Sequence, residues 1–187
     1  KVVDLTSIIF GPYASLILAD YGADVIKVES PAGDSTRNTG PAFESGLSAM
    51  FLSVNRNKRS IVLDLKKPEA LDALYKIIDS ADVFMHSIRP QKMVSLGLDP
   101  ETLMKRNPKL VYAALHGFGN GGQYSGEPAY DDTIQGLSGV ANIVGRQTGT
   151  PRYLPTIASD KTCGLIAAHG ILAAILKRER TGEGQFV

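Results

Sequence analysis

The stretch LADYGADVIKVE, residues 18–29, decides the fold that the sequence predicts. Its first residues belong to a predicted helix, because apolar residues recur at helical spacing over Gly11–Tyr21, and Gly22 ends that helix. Asp24–Glu29 is rich in residues that favour β-structure and is predicted to be a strand. A shorter apolar strand, Val2–Leu5, precedes the helix. Strand, helix and strand in this order form a β-α-β unit, so the two strands are predicted to be parallel.

The same alternation of strands and helices continues along the chain. Further strands are predicted at Ser60–Leu65, Asp82–His86 and Leu110–Leu115, and helices at Pro68–Ser80, Pro100–Arg106 and Ala158–Lys177. This order predicts an α/β fold with an open, mostly parallel sheet of Rossmann-like β-α-β units. Ligands of such sheets bind beyond the carboxyl ends of the strands, so a functional site is expected there.

Composition excludes several classes of function. The 187 residues are 43% hydrophobic with a formal net charge of +1, which is typical of a globular domain and argues against nucleic-acid binding. No run of about 18 apolar residues predicts a membrane span. The single Cys163 excludes an internal disulfide and favours a reducing compartment, so a cytoplasmic location is expected.

The segment EPAYDDTIQGLSG, residues 127–139, carries the strongest candidate for chemistry. It follows a Gly-rich loop, and a helix is predicted to begin near Asp131, where the helix dipole favours an ionised carboxylate. An ionised carboxylate at a strand-end loop is a candidate nucleophile. The alternative, judged from spacing alone, is that Asp131 or Asp132 only caps the helix.

Several separated segments resemble the class III CoA-transferase family of the CaiB-BaiF type. They are, in chain order, VDLT with FGP (3–6 and 10–12), residues 18–29, PAGD with Arg37 (31–34), residues 55–66, YD with Gln135 and LSG (130–131 and 137–139), and RTGEGQ (180–185). In that family an aspartate attacks an acyl-CoA thioester. The resemblance therefore implies a CoA-transferase in which Asp131 forms an aspartyl covalent intermediate.

The resemblance also implies ligands and partners. CoA or acyl-CoA is expected as a substrate beside a small carboxylic acid, with no covalently bound resting cofactor and no metal. Residues 1–187 are expected to be one CoA-binding domain, the N-terminal part of the larger domain of an interlocked homodimer, as a fragment lacking the C-terminal half. The expected CoA-contacting residues are Ile9, Phe10, Arg37, Lys58, Arg59, Leu65, Ser87, Ile88, Arg89, Lys92 and Tyr130.

The family pattern is not followed everywhere. SIRPQ, residues 87–91, replaces the usual Asn-Phe-Arg-Pro-Gly, and Ser30 stands where relatives often carry arginine. Lys92 is positioned to replace a lost charge. CoA phosphates still require cations or exposed backbone amides at this edge of the sheet.

Three alternative functions stay open. A related α-methylacyl-CoA racemase would use a histidine where this chain has Tyr130 and an aspartate that matches Asp160, which otherwise caps the last helix. An inactive CoA-binding module is the second alternative. The third, a nicotinamide-dependent oxidoreductase, rests on GFGNGG (117–122), but residues 123–128 interrupt the helix that this fingerprint needs. Among the histidines only His116, beside this loop, is a functional candidate.

Overall fold

The structure, a computed structural model, describes residues 1–187. Seven strands and eight α-helices alternate along the chain, with one turn of 3-10 helix at Ser35–Asn38. The strands are β1 (Val2–Leu5), β2 (Val25–Glu29), β3 (Ala42–Glu44), β4 (Leu47–Ser48), β5 (Lys58–Val62), β6 (Val83–His86) and β7 (Val111–Ala114). The helices are α1 (Phe10–Asp20), α2 (Ala49–Asn55), α3 (Pro68–Asp79), α4 (Pro90–Ser95), α5 (Pro100–Arg106), α6 (Asp131–Leu137), α7 (Val140–Thr148) and α8 (Ala158–Thr181).

The main sheet confirms the α/β fold predicted from the sequence. Its five strands lie in the order β5-β2-β1-β6-β7, and every neighbouring pair is parallel. Beyond β7 the backbone of residues 185–187 continues the ladder, with the Tyr112 N–H donating to the Gln185 carbonyl at 2.9 Å. From β1 the chain adds β2 and β5 on one side of the sheet, and it then adds β6 and β7 on the other side. The switch point between β1 and β6 is where sheets of this kind bind their ligands.

Hydrophobic side chains cover both faces of the sheet. Because successive strand residues point to opposite faces, Val2, Val83 and Val111 pack in one cluster with α1 and α8, whereas Phe84 and Tyr112 pack in the other. The second cluster is completed by apolar residues of α3, α4 and α5. The sheet is thus buried between two helical layers, which leaves its carboxyl edge free to form a site.

The last helix, α8, buries only one face. Gly164, Ala168 and Ile171 are buried on this face, and α8 packs along α1. Ile166 on the other side of the helix is 64% exposed, so α8 is not the fully buried helix that its small residues suggest. By length and composition alone α8 could cross a membrane, but core helices of globular proteins pass the same test.

Gly164 permits the close approach of α8 to α1. A Cβ atom at this position would lie 2.8 Å from Cδ1 of Tyr13 and 3.0 Å from the carbonyl oxygen of Phe10. Overpacking of this kind costs about 1–3 kcal/mol, against the ~1 kcal/mol that alanine gains in helix propensity. We therefore expect Gly164→Ala to lower the free energy of unfolding in urea titrations. Gly170→Ala, in the same helix, is the control. A Cβ atom at Gly170 would lie 3.3 Å from a flexible Val187 methyl group, so this variant should not lower the free energy of unfolding.

Candidate active site

A cavity of about 280 Å³ opens at the switch point of the sheet. We call it the switch-point cavity. The loop after β1, the loop after β6, the Gly-rich loop after β7 and the first turns of α6 and α8 form its walls. Its lining residues are Ser7, Ile8, Ile9, Phe10, Ser87, Arg89, Pro90, Leu115, His116, Gly117, Phe118, Gly126, Glu127, Pro128, Ala129, Tyr130, Ile134, Ser159, Asp160 and Cys163.

A second cavity, of about 460 Å³, lies next to it beyond the ends of β1, β2 and β5. We call it the neighbouring cavity. Ser7 lines both cavities, so they share a wall. Lys66 and Lys92 line the neighbouring cavity, and neither ammonium group forms an ion pair with the protein. Two unpaired cations beside an open cavity are suited to bind an anionic ligand such as a phosphate.

Asp131 holds the first turn of α8. The N-cap residue of α8, Ile157, makes no side-chain capping bond, and the Asp160 N–H donates instead to Oδ1 of Asp131 at 3.0 Å. Oδ2 of Asp131 accepts a hydrogen bond from Nε2 of Gln135 at 2.5 Å. Each oxygen of Asp131 thus accepts one hydrogen bond and keeps a second lone pair, and this side chain satisfies a backbone donor at the end of another helix.

Gln135 fixes Asp131 in this orientation. The side chain of Gln135 is buried; its Nε2 also donates to the Thr156 carbonyl at 3.1 Å, and its Oε1 accepts from the Leu154 N–H at 2.8 Å. Every polar atom of the amide is thus satisfied. The arrangement ties α6 to the segment that leads into α8.

Asp160, in contrast, presents its carboxylate to the switch-point cavity. The sequence-based expectation that Asp160 caps α8 is wrong, because its side chain accepts no hydrogen bond from a backbone N–H of the helix. Burial, assisted by the neighbouring Asp131 carboxylate, raises the pKa of Asp160 to about 6. A carboxylate of this kind is mostly ionised at neutral pH and is more basic than an ordinary aspartate.

Eight of the predicted CoA-contacting residues lie at the two cavities. Ile9, Phe10, Ser87, Arg89 and Tyr130 line the switch-point cavity, whereas Leu65, Ile88 and Lys92 line the neighbouring one. Asp160, Cys163 and Lys66 also line the cavities and were not predicted as ligand contacts. Cys163 follows Asp160 by one helical turn, which is the spacing that could have revealed it.

Arg37 does not face either cavity. Its Nε and Nη2 atoms donate to the two carboxylate oxygens of Glu29 at 2.7 and 2.6 Å, and its guanidinium lies 3.8 Å from the centre of the Phe51 ring. Burial alone would raise the pKa of Glu29, but this bidentate pair and hydrogen bonds from Ser60 and the Asp34 N–H lower it to about 2. Arg37 therefore stabilises the turn after β2, which corrects its expected role as a phosphate contact.

Lys58 and Arg59 also lie away from the cavities. Nζ of Lys58 is buried, donates to the Pro12 carbonyl at 2.9 Å and lies 3.4 Å from Asp4, and burial lowers its pKa to about 8. Arg59 forms an exposed ion pair with Asp24. Both residues begin β5, and the cavities lie beyond the other end of the strands. Both therefore pair within the domain, and neither lines a cavity.

Two histidines hold the backbone of Ile88 between the cavities. Nδ1 of His86 accepts from the Ile88 N–H at 3.2 Å, and Nε2 of His116 lies 3.0 Å from the Ile88 carbonyl, so this nitrogen carries the proton. Nε2 of His86 meets the Tyr112 hydroxyl at 2.9 Å. Burial lowers the pKa of His86 to about 4, so it is neutral and acts as a fixed support.

Together these features define a doubly wound α/β protein with a free carboxylate at its switch point and unpaired lysines beside it. The sequence profile of CoA-transferase family III matches residues 1–187. Similar proteins include the succinate–glutarate CoA-transferase of Agrobacterium fabrum, 39% identical over all of this chain and 48% of that protein. The succinyl-CoA:mesaconate CoA-transferase of Haloarcula hispanica is 40% identical over all of this chain and 49% of its own length.

The structural comparison agrees. A CAIB/BAIF family protein from Brucella suis superposes with a TM-score of 0.95 at 38% identity, covering all of this chain and 50% of that one. The chain belongs to CoA-transferase family III, as the sequence resemblance implied. It spans about half the length of the curated relatives it matches.

Proposed function

We propose that residues 1–187 are the CoA-binding domain of a CoA-transferase that moves CoA from an acyl-CoA thioester to a free carboxylic acid. The observation that carries the proposal is the match of residues 1–187 to CoA-transferase family III, together with a cavity at the switch point of the sheet. Asp131, in the segment that resembles the family's nucleophile segment, is the attacking group in this proposal. Asp131 follows Tyr130, which lines the switch-point cavity, and its carboxylate is held by the Asp160 N–H and by Gln135.

In the first half-reaction, an oxygen of Asp131 attacks the thioester carbonyl and the carbon–sulfur bond breaks. The CoA thiolate leaves readily because thiol pKa values lie near ~8.5, and a mixed acyl-aspartyl anhydride remains. The thiolate then attacks the aspartyl carbonyl, which releases the donor acid and leaves an aspartyl-CoA thioester. No general base is required, since the carboxylate is already ionised at neutral pH.

In the second half-reaction, the acceptor carboxylate attacks the aspartyl-CoA thioester and expels the thiolate again. The thiolate then attacks the acceptor's carbonyl in the new mixed anhydride, which yields the new acyl-CoA and regenerates Asp131. The net reaction exchanges CoA between two acids without oxidation or hydrolysis. The Asp160 N–H and the Gln135 amide keep the Asp131 carboxylate in one orientation.

The two cavities divide the substrate between them. The thioester lies in the switch-point cavity at the start of α6, where Asp131 stands, with Ile9, Phe10 and Tyr130 as apolar walls. The nucleotide end of CoA lies in the neighbouring cavity, where Lys66 and Lys92 offer cations. The enzyme is an interlocked homodimer in the cytoplasm, by analogy with the family.

The test is a transfer assay on the full-length protein with succinyl-CoA or acetyl-CoA as donor and a panel of free acids, read by chromatography of the CoA esters. Relatives named after succinate, glutarate and mesaconate make dicarboxylic acids the first acceptors to try. New CoA esters without net hydrolysis support the proposal. No exchange, with solvent deuterium appearing at the acyl α-carbon instead, would favour the racemase, whose aspartate matches Asp160.

A further inference from the structure

The turn between β1 and α1 contains a strained residue. Ile8 has φ of 72°, in the left-handed region that β-branched residues rarely occupy. Ile8, Ile9 and Phe10 line the switch-point cavity, and Ser7 lines both cavities. An unfavourable backbone conformation persists only where the surroundings enforce it, and such positions cluster at functional sites.

A buried ion pair enforces this conformation. The side chains of Lys27 and Asp34 are each 1% exposed, and Nζ of Lys27 lies 2.9 Å from Oδ2 of Asp34. The Ile8 N–H donates to both Asp34 oxygens at 3.3 Å, and Nζ of Lys27 donates to the Thr6 carbonyl at 2.9 Å. The pair therefore holds the backbone on both sides of Ser7.

Further contacts connect this turn to the rest of the site. The Ser7 N–H donates to Oγ of Ser87 at 3.2 Å, which links it to the loop after β6. The Asp34 N–H donates to Oε2 of Glu29 at 2.9 Å, and Glu29 is held in turn by Arg37. Arg37 does not line either cavity, but through Glu29 and Asp34 it supports the wall that the two cavities share.

We propose that Lys27 and Asp34 are positioning residues that hold Ile8 in its strained conformation, so that the Ser7–Phe10 wall is set before acyl-CoA binds. The inference rests on the proposed function, because it assigns this wall to acyl-CoA recognition. Without the ion pair the turn would relax, and the binding-competent wall would be only one of several conformations. Apparent affinity falls in proportion to the fraction of molecules in the competent conformation.

Ile8→Gly tests the proposal without disturbing the buried pair. Glycine occupies φ > 0 freely and also samples other conformations, so the turn loses its single arrangement. Ile8→Ala removes nearly the same side chain but keeps the restrictions of an L-residue. Asn57→Gly is a matched control, since Asn57 is the other non-glycine residue with positive φ, 62°, and it lies at the surface away from both cavities.

The readouts are amide hydrogen exchange at residues 7–10, the dissociation constant for CoA by calorimetry, and kcat and KM for the acyl-CoA. For Ile8→Gly in the full-length protein we expect exchange and KM each to rise about tenfold with kcat changed less than about twofold, the pattern of a lower competent fraction. Ile8→Ala should raise KM by less than about threefold, and Asn57→Gly should leave all readouts unchanged.

Two results would overturn the inference. The first is hydrogen exchange and CoA affinity in Ile8→Gly that equal those of the wild type. The second is an equal effect of Ile8→Ala and Ile8→Gly, because the effect would then come from the lost side chain. If the wild type exchanged no CoA between acids, the proposed function would fail. Hydrogen exchange and the dissociation constant for CoA would still decide the role of the turn.

Discussion

Replacing Asp131 with asparagine is expected to lower kcat for CoA transfer by at least about 10³-fold, because the amide cannot attack a thioester. The same change should destabilise the protein slightly. Asp131 accepts a hydrogen bond from the Asp160 N–H in the first turn of α8, and a weaker cap there costs about 1 kcal/mol in the free energy of unfolding.

Asp160→Asn is the matched control, and it should show the opposite pattern. The pKa of Asp160 rises to about 6 on folding, so its ionisation destabilises the folded state as the pH rises to that value. After allowance for solvent screening, we expect the neutral asparagine to add about 1–2 kcal/mol to the free energy of unfolding at pH 7.5, while transfer falls by less than about tenfold. Urea unfolding and steady-state kinetics on the two variants decide between the carboxylates. An active Asp131→Asn beside an inactive Asp160→Asn would contradict the assignment.

Asp34→Ala is expected to lower the free energy of unfolding by about 3–5 kcal/mol, because it leaves the Lys27 ammonium buried without its counter-ion. Burial alone would raise the pKa of Asp34, but Lys27 and the hydrogen bonds from Thr36 lower it below its usual range. The stabilisation is therefore present at neutral pH and is lost only as the pH falls below that range. Equilibrium urea unfolding measures the loss.

Asp79→Ala provides the comparison for this buried pair. Asp79 pairs with Arg106 at the surface, where the two side chains are 42% and 46% exposed. Exposed pairs contribute less than about 1 kcal/mol, so the variant should unfold close to the wild type. Equal losses of unfolding free energy for Asp34→Ala and Asp79→Ala would show that the buried Lys27–Asp34 pair stabilises the protein no more than an exposed pair does.

Much of the fold could be predicted from the sequence. The first unit, Val2–Glu29, has strong helical and strand patterns, and its elements begin and end within about one residue of the prediction. The hairpin of β3 and β4 and the helices α2, α4 and α7 were missed. These elements are short, and every residue of β3 is exposed, so the apolar pattern of each is too brief to separate it from a loop.

The site was predicted less completely, because its roles depend on contacts between distant segments. Spacing indicates that Asp131 and Asp160 each lie near the start of a helix, but it does not show that Asp131 caps the helix of Asp160, 29 residues further on. The partner of Lys58 is Asp4, 54 residues earlier, and no local pattern reveals such a pair. The positive charge of Lys58 therefore favoured a role in CoA binding, whereas the folded chain pairs this ammonium group with Asp4.

The central claim is that Asp131 becomes covalently modified during transfer. The most direct measurement is peptide mass spectrometry of the full-length protein after incubation with an acyl-CoA and trapping with hydroxylamine. The account predicts a hydroxamate on Asp131 that is absent from Asp131→Asn and still present in Asp160→Asn. A hydroxamate on Asp160 that persists in Asp131→Asn would contradict it.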